Sequence, residues 1–533
     1  MLLNDGATVT GNITDNGTLQ FNQSGNTLTI SNLISGTGTL SLTNTGTLNL
    51  TAGTTVILDM TTSASAGLLQ IRSGTGILLV GSSGTGTLNV TGGYVSNAAG
   101  WIGGSMTAPG GTVTVSSGTW NNNGELRVGS SSPSTLNVVN GGYVASTSGI
   151  VGFNTAGLST ATVSSGTWAN SGSLTVGLGG GTGTLNVNGG YVTSTSGTLG
   201  NDAVGRGIVT VSSGTWANSG DLTVGRSGTG TLTMNGGLVI VGGSLSKNAA
   251  STINLNAGGA LQIGTGSTSG VLLGGTDSLV NNGTLVFNRS DASTYSGVLS
   301  GSGAVTKQAA GLLTFAGANS YSGLTTIAGG TLALSGTGSI GIGGLNLGTT
   351  GSPGVFDLSA LTAGTDSLPA TGNLAGVGTI SGNGKTLAVL GSLAPGNSAG
   401  TITVGTGLSL DLSNSGTSLF EITRPAYTAG TFDLVSGDGS VVFGGILSLA
   451  FSGSSYADGM NVLQIFANTG GYSGTFSAVN FTGLGAGQSA TFNPTTGFIT
   501  IVPEPSTCAS LLAGAGLAGM MRWRKRRAAK AAA

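Results

Sequence analysis

Six aspartates, Asp202, Asp221, Asp277, Asp291, Asp357 and Asp366, are the side chains of this 533-residue chain best suited to acid–base work, and they stand at least nine residues apart. Paired carboxylates cleave glycosidic bonds when held roughly 5–9.5 Å apart. Asp202 and Asp221 could meet on adjacent turns of a coiled backbone, with Arg206 and Arg226 nearby, but solvated surface charge is the simpler reading. Asp433 and the Gly437-Asp438-Gly439 turn offer oxygens for a cation. Without a repeated Gly-Gly-x-Gly-x-Asp nonapeptide, a β-turn explains them better. There is no His and one Cys, Cys508, so imidazole bases, histidine metal sites and disulfides are excluded by count. The Gly-Thr-Gly-Thr runs lack a following helix and a lysine, and read as corners rather than phosphate loops. No catalytic residue, cofactor or metal is expected.

Aromatic side chains are the more ordered set. Ser-Ser-Gly-Thr-Trp ends at Trp120, Trp168 and Trp216, 48 residues apart. Gly-Gly-Tyr-Val begins at Gly92, Gly141 and Gly189, and Gly-Gly-Leu-Val at Gly236. Such a row has two uses. It stacks internally and fixes the register of the coils, or it forms a platform for sugar rings, with Trp120, Trp168 and Trp216 as a glycan-binding stripe and an exopolysaccharide as partner. Internal stacking is the favoured reading.

The element that positions these residues is a repeat within a repeat. Tyr94, Trp120, Tyr143, Trp168, Tyr191 and Trp216 fall 26, 23, 25, 23 and 25 residues apart. A turn of about two dozen residues, made of short strands with glycine at the corners, suits one coil of a parallel β-helix. In Thr184-Leu185-Asn186-Val187, Leu and Val share one face while Thr and Asn share the other. On the alignment of Thr184–Tyr191 with Val209–Trp216, Tyr and Trp occupy equivalent places. Residues 48 apart then lie two coils apart, about 10 Å. The expected fold is an all-β parallel β-solenoid rod, with coils over 1–80, 48-residue repeats over 81–240, further coils over 241–408, a C-terminal β module over 409–501 and a tail over 502–533.

Composition agrees. Glycine supplies 104 residues and proline only 9, with no Gly-x-y period, which excludes collagen. Charged residues make up 6%, so Thr, Ser and Asn must keep the surface wet; uncharged polar side chains stack in register without repulsion. Residues 1–521 carry nine basic against sixteen acidic groups, a net of −7, which is no footprint for nucleic acid.

The last thirty residues change character. Val502-Pro503-Glu504-Pro505-Ser506-Thr507 leads into an apolar stretch from Cys508 to Met521, then Arg522-Trp523-Arg524-Lys525-Arg526-Arg527. The sixteen residues between Pro505 and Arg522 would span about 24 Å as a helix, short against a hydrocarbon core of about 30 Å. Trp523 and the arginines can extend that span at the interface, with the basic end cytoplasmic.

This tail resembles the PEP-CTERM sorting signal. The resemblance implies a recognition motif at Pro503, Glu504 and Pro505 and a membrane segment marked by Ser506, Cys508, Leu511, Leu512, Leu517, Met520 and Met521. A basic stop follows at Arg522, Arg524, Lys525, Arg526 and Arg527. It further implies transient residence in the inner membrane and processing by an exosortase during export to the envelope or extracellular matrix. Over 81–240 the 48-residue unit resembles the repeat shared by type V secretion passengers and PEP-CTERM proteins. Residues 299–334, with Gly317-Ala318-Asn319-Ser320-Tyr321-Ser322-Gly323, resemble the autotransporter-associated β-strand repeat, and Leu393-Ala394-Pro395-Gly396-Asn397-Ser398 is similar to a segment that often follows it. No outer-membrane barrel follows the repeats, so self-secretion is not expected. Met1-Leu2-Leu3-Asn4-Asp5 carries neither a basic n-region nor an apolar h-region, so a misplaced start or a truncated fragment is expected. Together these imply a non-enzymatic, exported surface or matrix protein with a structural or adhesive role. The alternative is a carbohydrate-active β-helix lyase or hydrolase sent along the same route.

Overall fold

The computed structural model describes all residues except 23, 25, 31–33, 36–38, 43–46, 51–54, 59–60, 65–67, 72–75, 83, 105–108, 155–156, 274–276, 397–398, 424–431, 453–458, 504–515 and 528–533. The fold is the expected all-β parallel β-solenoid. It divides into two compact units, Met1–Thr306 and Lys307–Ala533, so the division falls inside the zone read from sequence as 241–408.

Along the column Val113, Leu136, Ala161, Leu185, Val209, Leu232 and Ile253 of the first unit, successive register partners lie 21 to 25 residues apart, the length of one coil there. A coil has three faces. Gly111–Ser116, Thr119–Asn122 and Glu125–Val128 are the strands of one coil; Leu158–Ser164, Thr167–Asn170 and Ser173–Leu178 are those of a later one. Each strand pairs in parallel with its counterparts on neighbouring coils, and alternate residues point inward. Val113, Val115, Leu126 and Val128 thus enter the core while the threonines between them stay at the surface. Among the described residues, backbone hydrogen bonds run from coil to coil along the stack, so a chain this poor in charge still pairs its polar backbone. Glycine sets the tightest corners. At Gly177 φ is +79°, and an added Cβ would sit 2.3 Å from the Arg206 carbonyl carbon on the next coil.

The second unit keeps the parallel plan beyond the point where the sequence repeats fade. Leu313, Leu332, Phe356 and Ile380 form one column, and the strands Thr417–Ile422, Ile446–Phe451 and Ala478–Thr482 another. An antiparallel element interrupts the plan at Gly348–Thr349, which pairs with Ser352–Leu361, and a larger one lies toward the C-terminus. Gly459–Gln464, Phe498–Pro503 and Gln488–Asn493 form an antiparallel sheet, with Phe498–Pro503 in the middle. Phe492 from this sheet meets Phe443 and Phe466 of the coils at 5.2 and 5.7 Å, and Tyr472 stacks on Phe443 at 5.4 Å. Lys307 is almost wholly buried in this unit. Its Nζ donates to the carbonyls of Gln308, Ala309 and Gly329 at 2.6, 2.9 and 3.2 Å, and burial holds its pKa down at about 8.

Candidate functional site

The aromatic residues that sequence places in one row occupy two columns on opposite sides of the second face. Tyr94, Tyr143 and Tyr191 are in register with Thr119, Thr167 and Thr215, whereas Trp120, Trp168 and Trp216 are in register with Val95, Val144, Val192 and Val239. A one-residue offset exchanges inside for outside. The tryptophans are 0% exposed; the tyrosines are 38, 41 and 44% exposed. The alignment of Tyr191 with Trp216 is therefore one residue out, and the coil corner accommodates the difference through a register shift between Val187 and Tyr191. Trp120, Trp168 and Trp216, for which the sequence left a glycan platform as the alternative to internal stacking, turn their rings into the core.

Buried indoles need a partner for the N–H. Each finds one on the preceding coil. Trp120 Nε1 donates to Asn97 Oδ1 at 2.7 Å, Trp168 to Ser146 Oγ at 3.2 Å, and Trp216 to Ser194 Oγ at 3.1 Å. These acceptors belong to a buried polar ladder, Asn97, Asn122, Ser146, Asn170, Ser194 and Asn218. Within it Asn97 donates to Asn122, Ser146 to Asn170, and Ser194 to Asn218. The end of the ladder ties to backbone, with Asn218 Nδ2 donating to the carbonyls of Gly220 and Asp221 at 2.8 Å each. The third face makes room for the rings by glycine. A Cβ at Gly100, Gly149 or Gly197 would stand 2.7, 2.7 or 2.9 Å from the Cζ2 of Trp120, Trp168 or Trp216. Trp-x-Asn at 120–122, 168–170 and 216–218 was the available sequence signal for this ladder.

A second cluster lies outside the repeating motif. Arg127 sits 5.0 Å from the ring centre of Trp101 and 4.4 Å from that of Phe153, residues contributed by neighbouring coils, while its Nε donates to Glu125. The cation is thus shared between two rings and a carboxylate, an arrangement that clamps three coils together on their outer surface.

The acids do not converge. Asp202 precedes the long strand Arg206–Asn218 and accepts from the backbone N–H of Gly179; Asp221 follows that strand and accepts from Ser244 N–H at 2.7 Å. They cap turns at different corners. Arg226 Nη1 meets Asn201 at 3.4 Å. Asp291 is held by Arg289, which lowers its pKa through hydrogen bonding. Asp438 accepts from Thr469, while buried Asp433 accepts backbone N–H groups of Gly400 and Glu421 at 2.9 and 2.8 Å. Burial pushes the Asp433 carboxyl up to about 7 against those bonds. Among the described residues no three His, Cys, Asp or Glu side chains gather as metal ligands.

The tail leaves the antiparallel sheet at Pro503, which is in register with Gln488. Glu504, Pro505, Ser506, Cys508, Leu511 and Leu512 lie outside the described residues. A helix over 516–527 carries Leu517, Met520, Met521, Arg522, Arg524, Lys525, Arg526 and Arg527, all exposed, with Arg527 over the Trp523 ring at 4.1 Å. No helix among the described residues is long and apolar enough to cross a membrane. At twelve residues this one spans about 18 Å, and its second half is basic.

Stacked parallel coils with an inward aromatic column define a β-solenoid repeat protein. Comparison with known proteins adds three findings. A family model described as the passenger-associated-transport-repeat matches residues 305–334, and one for the PEP-CTERM protein-sorting motif matches 502–527. The chain is also 40% identical over 82 residues to the "Adhesin BmaC autotransporter" of Brucella suis biovar 1 (strain 1330). That alignment takes in 15% of this chain and 2% of the adhesin. Within the passenger-associated repeat, Tyr321 is buried, with its hydroxyl 2.7 Å from Thr325 Oγ1.

Proposed function

We propose that this chain is a non-enzymatic β-solenoid of the cell surface or extracellular matrix, exported, sorted through its C-terminal signal by an exosortase-type enzyme, and used in structure or adhesion. The observation that carries the reading is the sorting-motif match at 502–527, which begins where the last strand of the folded body, Phe498–Pro503, ends. A recognition sequence placed there follows every stacked coil along the chain. The partial likeness to an autotransporter adhesin and the passenger-type repeat support display at a surface. Pro503, Glu504 and Pro505 are the recognition residues on this reading. The stretch from Ser506 to Met521 is the part that meets the inner membrane, and Arg522 to Arg527 the part that stops transfer. The carbohydrate-active alternative gains nothing from the acids, since Asp202 and Asp221 sit at separate corners. The domain limits at 80, 240 and 408 are retained as proposals about how the repeats are grouped.

Fractionation and intact mass of the protein in the bacterium that produces it test this. The expected product is an envelope or matrix species that has lost its basic end, and replacement of Pro503, Glu504 and Pro505 by alanine leaves it unprocessed. A full-length cytosolic product of unchanged mass contradicts the proposal.

A further inference from the structure

The geometry points to the outward face of the second strand in each coil, from Tyr94 to Gln262, as a binding surface for a linear, uncharged polysaccharide, with Tyr94, Tyr143 and Tyr191 as its stacking platforms. This deepens the adhesive reading above and rests on it only for where the chain is displayed.

Four observations carry it. First, the three rings recur every second coil with Thr119 and Thr167 between them, so they stand about 9.6 Å apart in one line. A row of flat aromatic faces at a constant interval matches a polymer that presents equivalent rings at a constant interval. Second, they are exposed at about two fifths although tyrosine buries readily, and no other described residue engages their hydroxyls. Third, the face is uncharged. The outward column through Tyr94, Thr119, Tyr143, Thr167, Tyr191, Thr215, Leu238 and Ala260 holds no Asp, Glu, Lys or Arg. Nor does its neighbour through Ser96, Asn121, Ala145, Ala169, Thr193, Ala217, Ile240 and Gln262. Such a surface has no field with which to attract a nucleic acid or a charged polymer. Fourth, the glycine corner beside the rings carries a row of amides and hydroxyls. Beside Tyr143, Asn140 Nδ2 donates to Ser116 Oγ at 3.1 Å and Ser117 Oγ donates to the Asn140 carbonyl at 2.9 Å; the same corner continues past the rings, where Asn256 Nδ2 donates to Asn235 Oδ1 at 2.7 Å beside Leu238 and Ala260. At Gly141, φ +76°, a Cβ would meet nothing within 4 Å, so the flank of the Tyr143 strand is open. Rings for the apolar faces of sugars and a parallel row of amides for their hydroxyls are the two components such recognition needs. A second copy of this chain is a poorer occupant. Three half-exposed rings separated by threonines do not form the continuous apolar centre of a stable protein interface.

The test is affinity electrophoresis of the purified full chain through gels containing hydroxyethylcellulose, mannan or dextran, with alginate as the charged control. The expected result is retardation by at least one neutral polymer and none specific to alginate. The Tyr94→Ala, Tyr143→Ala, Tyr191→Ala triple variant should bind on the order of tenfold more weakly, with an unchanged melting curve. The corresponding triple phenylalanine variant should keep most of the retardation. If the triple alanine variant fails to fold, Tyr143→Ala alone should give a smaller loss in the same direction. The proposal is overturned if no neutral polymer retards the native chain. It is equally overturned if alanine at all three sites leaves retardation intact, or if it abolishes self-association in sedimentation while retardation persists. Because the purified chain needs no export machinery, failure here leaves the sorting proposal standing, and a cytosolic location would leave this one standing.

Discussion

Trp168 and Tyr143 occupy comparable places in successive coils, one residue out of register, and meet opposite worlds. The tryptophan column is inside, hydrogen-bonded to Asn97, Ser146 and Ser194 and seated on glycines. The tyrosine column is outside, flanked by small uncharged residues and engaged by nothing described. In a period-2 strand the parity of a side chain, more than its chemistry, decides whether it stabilises the fold or is offered to a partner. The two columns should therefore respond to mutation in opposite ways.

The largest effect belongs inside. Trp168→Ala opens a cavity between two coils and leaves Ser146 and Asn170 facing it, at a cost of about 3–5 kcal/mol. Hydrogen exchange should show coils around 143–192 losing protection ahead of the rest, because each coil is held chiefly by its neighbours. Uniform protection in this variant would argue that the indole is not integral to the stack. Gly149→Ala should cost about 1–3 kcal/mol, since the new methyl would lie 2.7 Å from the Trp168 ring edge in a packed core. The same change at exposed Gly17, where a Cβ meets nothing within 4 Å, is the control.

The comparison extends to charge. The ladder of the first unit is built from Asn and Ser and does not titrate, whereas the second unit buries Asp433 with its pKa raised to about 7. A carboxyl that is harder to ionise folded than unfolded binds more protons in the folded state between about pH 4 and pH 7. Its contribution to stability is therefore present below pH 4 and falls as pH rises through that window, by on the order of 1–3 kcal/mol. Urea melts at pH 4.5 and 7.5 should show the second unit weakening as pH rises. Asp433→Asn should remove that slope while lowering stability at both pH values, because an amide offers one oxygen where two backbone N–H groups donate. At the small end, Tyr143→Ala should change stability by no more than about 0.5 kcal/mol. A loss approaching that of Trp168→Ala would erase the distinction between the columns.

Much of this was legible in the residues. Alternation in Thr184-Leu185-Asn186-Val187, glycine corners and the 48-residue spacing point to stacked coils, and tryptophans 48 apart do lie two coils apart in the register. The side taken by the tyrosines was harder to read. Steps of 23 from Trp to Tyr and of 25 or 26 from Tyr to Trp, in place of 24 throughout, mark the offset, but only a register makes its sign visible. Arg127 between Trp101 and Phe153 was not legible, because those rings do not belong to the recurring phrases and meet only across coils. From about residue 409 the repeats dissolve while parallel pairing continues to Ala478–Thr482. There the backbone ladder and apolar parity hold the geometry without repeated sequence. In the tail, a short apolar stretch with a basic flank reads from sequence as a membrane segment, whereas the described helix over 516–527 is short and half basic.

Hydroxyl-radical footprinting of the native chain, read residue by residue by mass spectrometry, tests parity most directly, because it probes both columns in one sample. Tyr94, Tyr143 and Tyr191 should be oxidised readily, along with exposed Trp523 as internal reference, while Trp120, Trp168 and Trp216 stay protected until the coils unfold. Native-state oxidation of those three indoles, with the tyrosines shielded, would contradict the account.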